Sequence, residues 1–157
     1  MGFLFFCLFS VCFCGSFREF HLELSDVWSA PDGYPRSTFM FNKTIPGPQL
    51  EAEEGDTVQV ILHNRLMDRT SSFHVHGFVF EQQPWQDGVA MITQCPILPG
   101  SHYMYRFLVQ NKPGTYWYHS HVGAQVGDGA FGAFIVRPKV RKRETVSVFS
   151  HKKKRAF

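Results

Sequence analysis

Three stretches of this chain alternate apolar and polar side chains with a period of two. Residues 19–27 carry Phe20, Leu22 and Leu24 between polar neighbours, residues 57–64 carry Val58, Val60 and Leu62, and residues 102–109 carry Tyr103, Tyr105, Phe107 and Val109. Successive side chains of an extended strand point to opposite faces, so this pattern marks half-buried β-strands and is incompatible with an amphipathic helix. Turn chemistry separates the candidate strands: Pro31-Asp32-Gly33, Pro46-Gly47-Pro48, Glu54-Gly55-Asp56, Leu98-Pro99-Gly100 and Lys112-Pro113-Gly114. No ten-residue window reads as an amphipathic helix. An all-β chain with antiparallel Greek-key connections, closed as a sandwich or barrel, is the economical expectation.

The 157 residues are enough for one well-packed domain and too few for two, and aromatic residues at 16% against 18% charged suit a core filled with large side chains. The amino-terminal residues 1–16 hold no charged side chain, and the apolar run from Gly2 to Cys14 is too short to span a bilayer. It is expected to be a signal peptide, giving a secreted product with no transmembrane segment after its removal. Cys7, Cys12 and Cys14 would leave with it, and Cys95 would remain as an odd cysteine. Asn42-Lys43-Thr44 is then a candidate N-glycosylation sequon.

Charge is unevenly distributed beneath the net of +3. Residues 137–157 hold nine Lys or Arg against Glu144, whereas residues 17–136 hold seven basic and twelve acidic side chains. With no sustained apolar period, residues 139–157 are expected to form a basic, disordered tail, and no nucleic-acid partner is expected. The domain proper is expected over residues 17–138.

Two His-x-His pairs carry the chemistry. His74-Val75-His76 and His119-Ser120-His121 each place two imidazoles on one face of an extended segment, the second alongside Trp117. Neutral imidazole suits zinc, copper and iron, and copper tolerates the widest range of all-nitrogen sites. If the pairs bind metal together, they must converge across the sequence separating them. His21, His63 and His102 are expected to be surface or hydrogen-bonded residues, and His151 to belong to the tail. No phosphate-binding glycine loop and no Ser-His-Asp order stands out, which leaves nucleotide and hydrolase chemistry without support.

These motifs belong to a longer ordered series. His74-Val75-His76-Gly77 is followed by Trp85-Gln86-Asp87-Gly88, Thr93-Gln94-Cys95-Pro96-Ile97, Pro99-Gly100, the run Gly114 to His121, then Gln125 and Asp128-Gly129; Asn42 to Pro48 and Glu54 to Val58 precede it. From about Phe20 to Pro138 the chain resembles the first cupredoxin, or plastocyanin-like, domain of a multicopper oxidase of the laccase and ascorbate oxidase kind. The resemblance implies a Greek-key cupredoxin-like β-sandwich and a copper-dependent oxidoreductase family with dioxygen as acceptor. It implies that His74 ligates a type 2 copper and that His76, His119 and His121 ligate a type 3 pair. Asp87 would orient water and supply protons from beside the cluster.

The family's cluster takes four His-x-His pairs, and this chain has two. By the same resemblance, the other ligands and the type 1 copper site belong to a missing domain, and Cys95 resembles a cysteine bridged to a distant part of the chain. The chain is therefore expected to be catalytically incomplete alone, with a complementary cupredoxin domain as partner. The alternative is a small, non-catalytic, secreted copper-binding module acting with a partner chain.

Overall fold

The computed structural model describes residues 15–139; residues 1–14 and 140–157, and with them most of the expected signal peptide and tail, lie outside the described residues. Eight strands follow one another: β1 Phe17–Ser29, β2 Arg36–Phe41, β3 Gly47–Glu53, β4 Thr57–Asn64, β5 His74–His76, β6 His102–Leu108, β7 Gly114–His119 and β8 Phe131–Arg137. The only helical element among the described residues is a 3₁₀ turn at Pro84–Gln86. None of these residues forms a helix long and apolar enough to cross a membrane.

The strands form two four-stranded sheets, ordered β2-β1-β4-β6 and β3-β8-β7-β5. Only the β1–β2 and β7–β8 connections stay within one sheet; every other connection passes between layers, giving the expected all-β sandwich. The three alternating segments become β1, β4 and β6, which are neighbours in the first sheet. Leu22, Leu24, Val58, Val60, Leu62, Tyr105 and Phe107 point inward, against Leu50, Val75, Tyr118, Phe134 and Val136 of the second sheet. Burying a side chain of this size stabilises the fold by about 1.5–3 kcal/mol, so these inward positions set the register of each strand.

Two pairings differ from the antiparallel expectation. β1 runs parallel to β4, with Phe20 opposite Val60, and β3 runs parallel to β8, with Leu50 opposite Phe134. Alternation fixes the face a side chain occupies and carries no information about the direction of the neighbouring strand. The Pro46-Gly47-Pro48 turn also differs: Gly47 and Pro48 open β3, where the register shifts between Gly47 and Leu50. A proline is tolerated at such an irregularity because no ladder bond needs its missing N–H.

Two tyrosines are buried completely in the core. The Tyr118 hydroxyl donates to the Pro48 carbonyl at 2.7 Å, and the Tyr105 hydroxyl accepts from the Phe73 N–H at 3.0 Å. Burial pushes both phenols well above their ordinary range. Tyr118 lies opposite Gly132, where a Cβ would stand 2.4 Å from the phenol ring. Only glycine lets the ring lie there, and the ring in turn fixes which face of β7 looks inward.

Candidate metal centre

With Tyr118 inward, Trp117 and His119 face outward. β5 and β7 are antiparallel partners in which His74 stands opposite His119, Val75 opposite Tyr118 and His76 opposite Trp117. Val75 and Phe73 are buried, so His74 and His76 are turned to the same outer face as His119. His121 follows the end of β7 and is held by its own N–H, which donates to the Ser72 hydroxyl at 3.2 Å.

The two pairs therefore converge. Ring centroids lie 5.2 Å apart for His74 and His119, 5.3 Å for His74 and His121, 5.8 Å for His76 and His119, and 5.8 Å for His119 and His121. One nitrogen from each of His74, His76 and His119 falls within 4.8 Å of the others. Trp117 stacks on His119 at 4.3 Å and on His76 at 5.2 Å, which holds both rings in place.

Hydrogen bonds select the nitrogens that remain available. A carbonyl can only accept, so His74 donates its Nδ1–H to the Asp87 carbonyl at 2.7 Å, and His119 donates its Nδ1–H to the Ser120 carbonyl at 2.9 Å. In the neutral ring this leaves the Nε2 lone pair of each available to a ligand. The His119 Nε2 is buried and has no hydrogen-bond partner among the described residues. Such an atom is costly in a structure that binds nothing there, by about 1–3 kcal/mol, and it is what a metal ligand requires. Burial lowers the His119 pKa; the Ser120 bond partly opposes this, and the neighbouring His74, His121 and His76 lower it further. The imidazole is thereby kept neutral and able to coordinate. An all-imidazole donor set of this kind fits copper.

Asp87 ends the 3₁₀ turn and lies beside this group. Its carboxylate Oδ1 is 3.2 Å from the His74 Nδ1, the nitrogen already bonded to its own backbone carbonyl. The following residue, Gly88, has φ of +77°, and a Cβ there would fall 1.8 Å from the Phe73 carbonyl oxygen. The close approach that brings Asp87 to His74 thus depends on glycine. Cys95, by contrast, is exposed, forms no disulfide among the described residues and takes no part in the histidine group.

A buried polar knot beneath the site escapes single-segment sequence reading. Gln125 accepts from the Ser120 hydroxyl at 2.6 Å and the Ser71 hydroxyl at 3.0 Å, and donates to the Thr70 carbonyl at 2.8 Å. It ties the segment before β5 to the loop after β7, so both His-x-His pairs rest on one network. Ser71 and Ser72 directly precede Phe73-His74, and that adjacency is the only sequence signal for their role.

Comparison with known proteins gives a consistent result. Residues 23–141 match the family described as multicopper oxidase. The chain is 42% identical over 119 residues to laccase-1 of Cryptococcus neoformans, covering 76% of this chain and 19% of that protein. It is 47% identical over 107 residues to the iron transport multicopper oxidase FET3 of Candida albicans, covering 68% and 17%. Among solved structures, the laccase of Botrytis aclada superposes with a TM-score of 0.74 at 42% identity, over 79% of this chain and 23% of that one. Fet3p, a multicopper oxidase that functions in iron import, superposes with a TM-score of 0.73 at 35% identity, over 78% and 23%. This chain thus spans only about a fifth of the length of these relatives.

Proposed function

The chain belongs to the multicopper oxidase family, as a cupredoxin domain of it, and we propose that its four clustered histidines supply half of the ligand set of a trinuclear copper cluster. The observation that carries this reading is the buried, unpartnered Nε2 of His119 at the centre of four converging imidazoles. In it, His74 serves the type 2 ion, and His76, His119 and His121 serve the type 3 pair. Copper held there supplies the redox chemistry by which the family reduces dioxygen to water.

The chain's own residues prepare that site. The Asp87 and Ser120 carbonyls fix the tautomers of His74 and His119. The Asp87 carboxylate, 3.2 Å from His74 Nδ1, is placed to hold a proton and pass it to water beside the cluster. Trp117 covers the flank of His76 and His119 and limits water on that side. The remaining cluster ligands and the electron-accepting type 1 copper would come from a complementary cupredoxin domain, consistent with the small share of each relative that this chain covers. On this reading the chain alone is catalytically incomplete.

The proposal extends to export, with residues 1–16 as signal, 17–138 as the domain and 139–157 as tail. The apolar run from Gly2 to Cys14 supports it. Asn42 is exposed, as a glycan acceptor must be, although its side chain accepts from the Glu23 N–H and donates to the His21 carbonyl.

The test is copper bound per purified chain, with electron paramagnetic resonance on the same sample and His119→Ala as control. Copper retained by the parent and lost in the variant is expected. Equal copper in both would overturn the assignment, and catalysed dioxygen consumption by the copper-loaded chain alone would overturn its incompleteness.

A further inference from the structure

We propose a second metal site, on the outer face of the other sheet, formed by His63 of β4 and His102 of β6 and taking a divalent cation of the copper, nickel or zinc class. The two histidines are direct register partners in an antiparallel pair. The Asn64 N–H donates to the Ser101 carbonyl at 2.9 Å and the Val109 N–H to the Asp56 carbonyl at 2.8 Å. These bonds make 64/101 and 56/109 the hydrogen-bonded positions of the ladder. By alternation 63/102 is a non-hydrogen-bonded position, where side chains approach most closely.

The two imidazoles lie with centroids 5.2 Å apart and planes inclined by 33°. Among the described residues neither ring enters a hydrogen bond or an ion pair, His63 being half-buried and His102 exposed. Their ring nitrogens are therefore free to chelate one ion, with water completing its coordination. A shallow groove beside His63 is lined by His21, Glu23, Asn42 and Lys43. The Glu23 carboxylate there is engaged by Arg65 at 2.7 Å and Asn42 by the β1 backbone, which leaves the two paired imidazoles as the donor set.

Exposure agrees with the expectation of a surface residue for His102, whereas His63 is half-buried. What single strands could not show is that β4 and β6 bring them face to face. β6 is the edge strand of its sheet, so an ion bridging the pair would also fasten that edge to β4. Late first-row divalent ions bind such nitrogen pairs with copper tightest.

The test uses the full chain carrying His74→Ala and His119→Ala, so that the four-histidine group is disabled. Copper(II) chloride titrated into the isotopically labelled protein should broaden the amide signals around residues 63 and 102 first. His63→Ala or His102→Ala should each weaken this binding about a hundred-fold, because the gain from two linked donors is lost; His21→Ala should leave it unchanged. In the otherwise unaltered chain, calorimetric titration should count one ion fewer after His102→Ala, which keeps the test independent of how the double variant folds. Broadening that survives His102→Ala, that follows His21→Ala instead, or that never appears near residues 63 and 102 would overturn the proposal.

Discussion

His74 and His119 stand directly opposite one another across β5 and β7, with ring centroids 5.2 Å apart, and each donates its Nδ1–H to a backbone carbonyl. Pairing across the sheet brings the two rings together, and the carbonyls decide which nitrogen each ring presents. The site is thus specified by backbone register and backbone acceptors, which makes it sensitive to substitutions that touch no histidine.

Gly88→Ala is the most direct case. Its Cβ would lie 1.8 Å from the Phe73 carbonyl oxygen at a φ of +77°, so the segment carrying Asp87 must shift away from His74. Backbone strain of this kind costs about 1–3 kcal/mol. Urea unfolding should show that loss, and metal analysis should show reduced copper. Unchanged copper loading would mean that the Asp87 carbonyl does not hold His74.

His119→Leu separates binding from folding. With a chelator present, losing the Ser120 bond (about 1 kcal/mol) is offset by removing a buried, unpaired nitrogen whose burial costs about 1–3 kcal/mol. The variant should unfold at a urea concentration no lower than the parent's. Adding copper should raise the parent's midpoint and leave the variant's where it was. A variant clearly weaker without metal would show that His119 is structural.

Gln125→Ala should damage both histidine pairs at once. It removes the shared acceptor of the buried Ser71 and Ser120 hydroxyls, which keep only their 3.2 Å bond to each other, and takes the Gln125 donor from the Thr70 carbonyl. Each buried group left unpaired costs about 1–3 kcal/mol. Unfolding measurements should register the loss, and the imidazole resonances of His74 and His121 should shift together. A shift confined to one pair would argue against a shared support.

Acid stability should trace to Asp56. Burial alone would raise its pKa, but in the chain that still carries Ser16 the N–H groups of Glu53 and Ser16 and then the Arg18 guanidinium outweigh burial and hold it below the ordinary 3.8. A carboxyl depressed in the folded state adds stability above its unfolded pKa and loses it as pH falls through the lower folded value. Asp56→Asn should therefore be less stable than the parent at neutral pH, with the gap narrowing as the medium falls below pH 3.8. A gap constant across that window would remove Asp56 from the acid limb.

Much of this could be read from residues in order. The alternation at Leu22-Leu24, Val58-Val60-Leu62 and Tyr105-Phe107 identified the inward faces of β1, β4 and β6, and the i, i+2 spacing of the histidines identified their common face. What escaped depends on neighbours that sequence order does not name. The parallel direction of β1 against β4, the pairing of His63 with His102 and the knot joining Ser71, Ser120 and Gln125 arise only when distant segments are laid side by side. Asp87 is an intermediate case: its position next to a glycine was visible, but the use of its backbone carbonyl was not.

The parallel pairing of β3 with β8 has a consequence for how the chain comes to be folded during synthesis. β3 ends at Glu53, and its partner is complete only at Arg137, whose guanidinium reaches back to Glu51 at 2.8 Å. Until the ribosome has released that last strand, the second sheet lacks the member that joins β3 to β7. The first histidine pair must therefore wait, exposed on a nascent polypeptide, while the second half of the domain is made. A chain halted before β8 would carry all four histidines and still lack the strand that completes the sheet holding them.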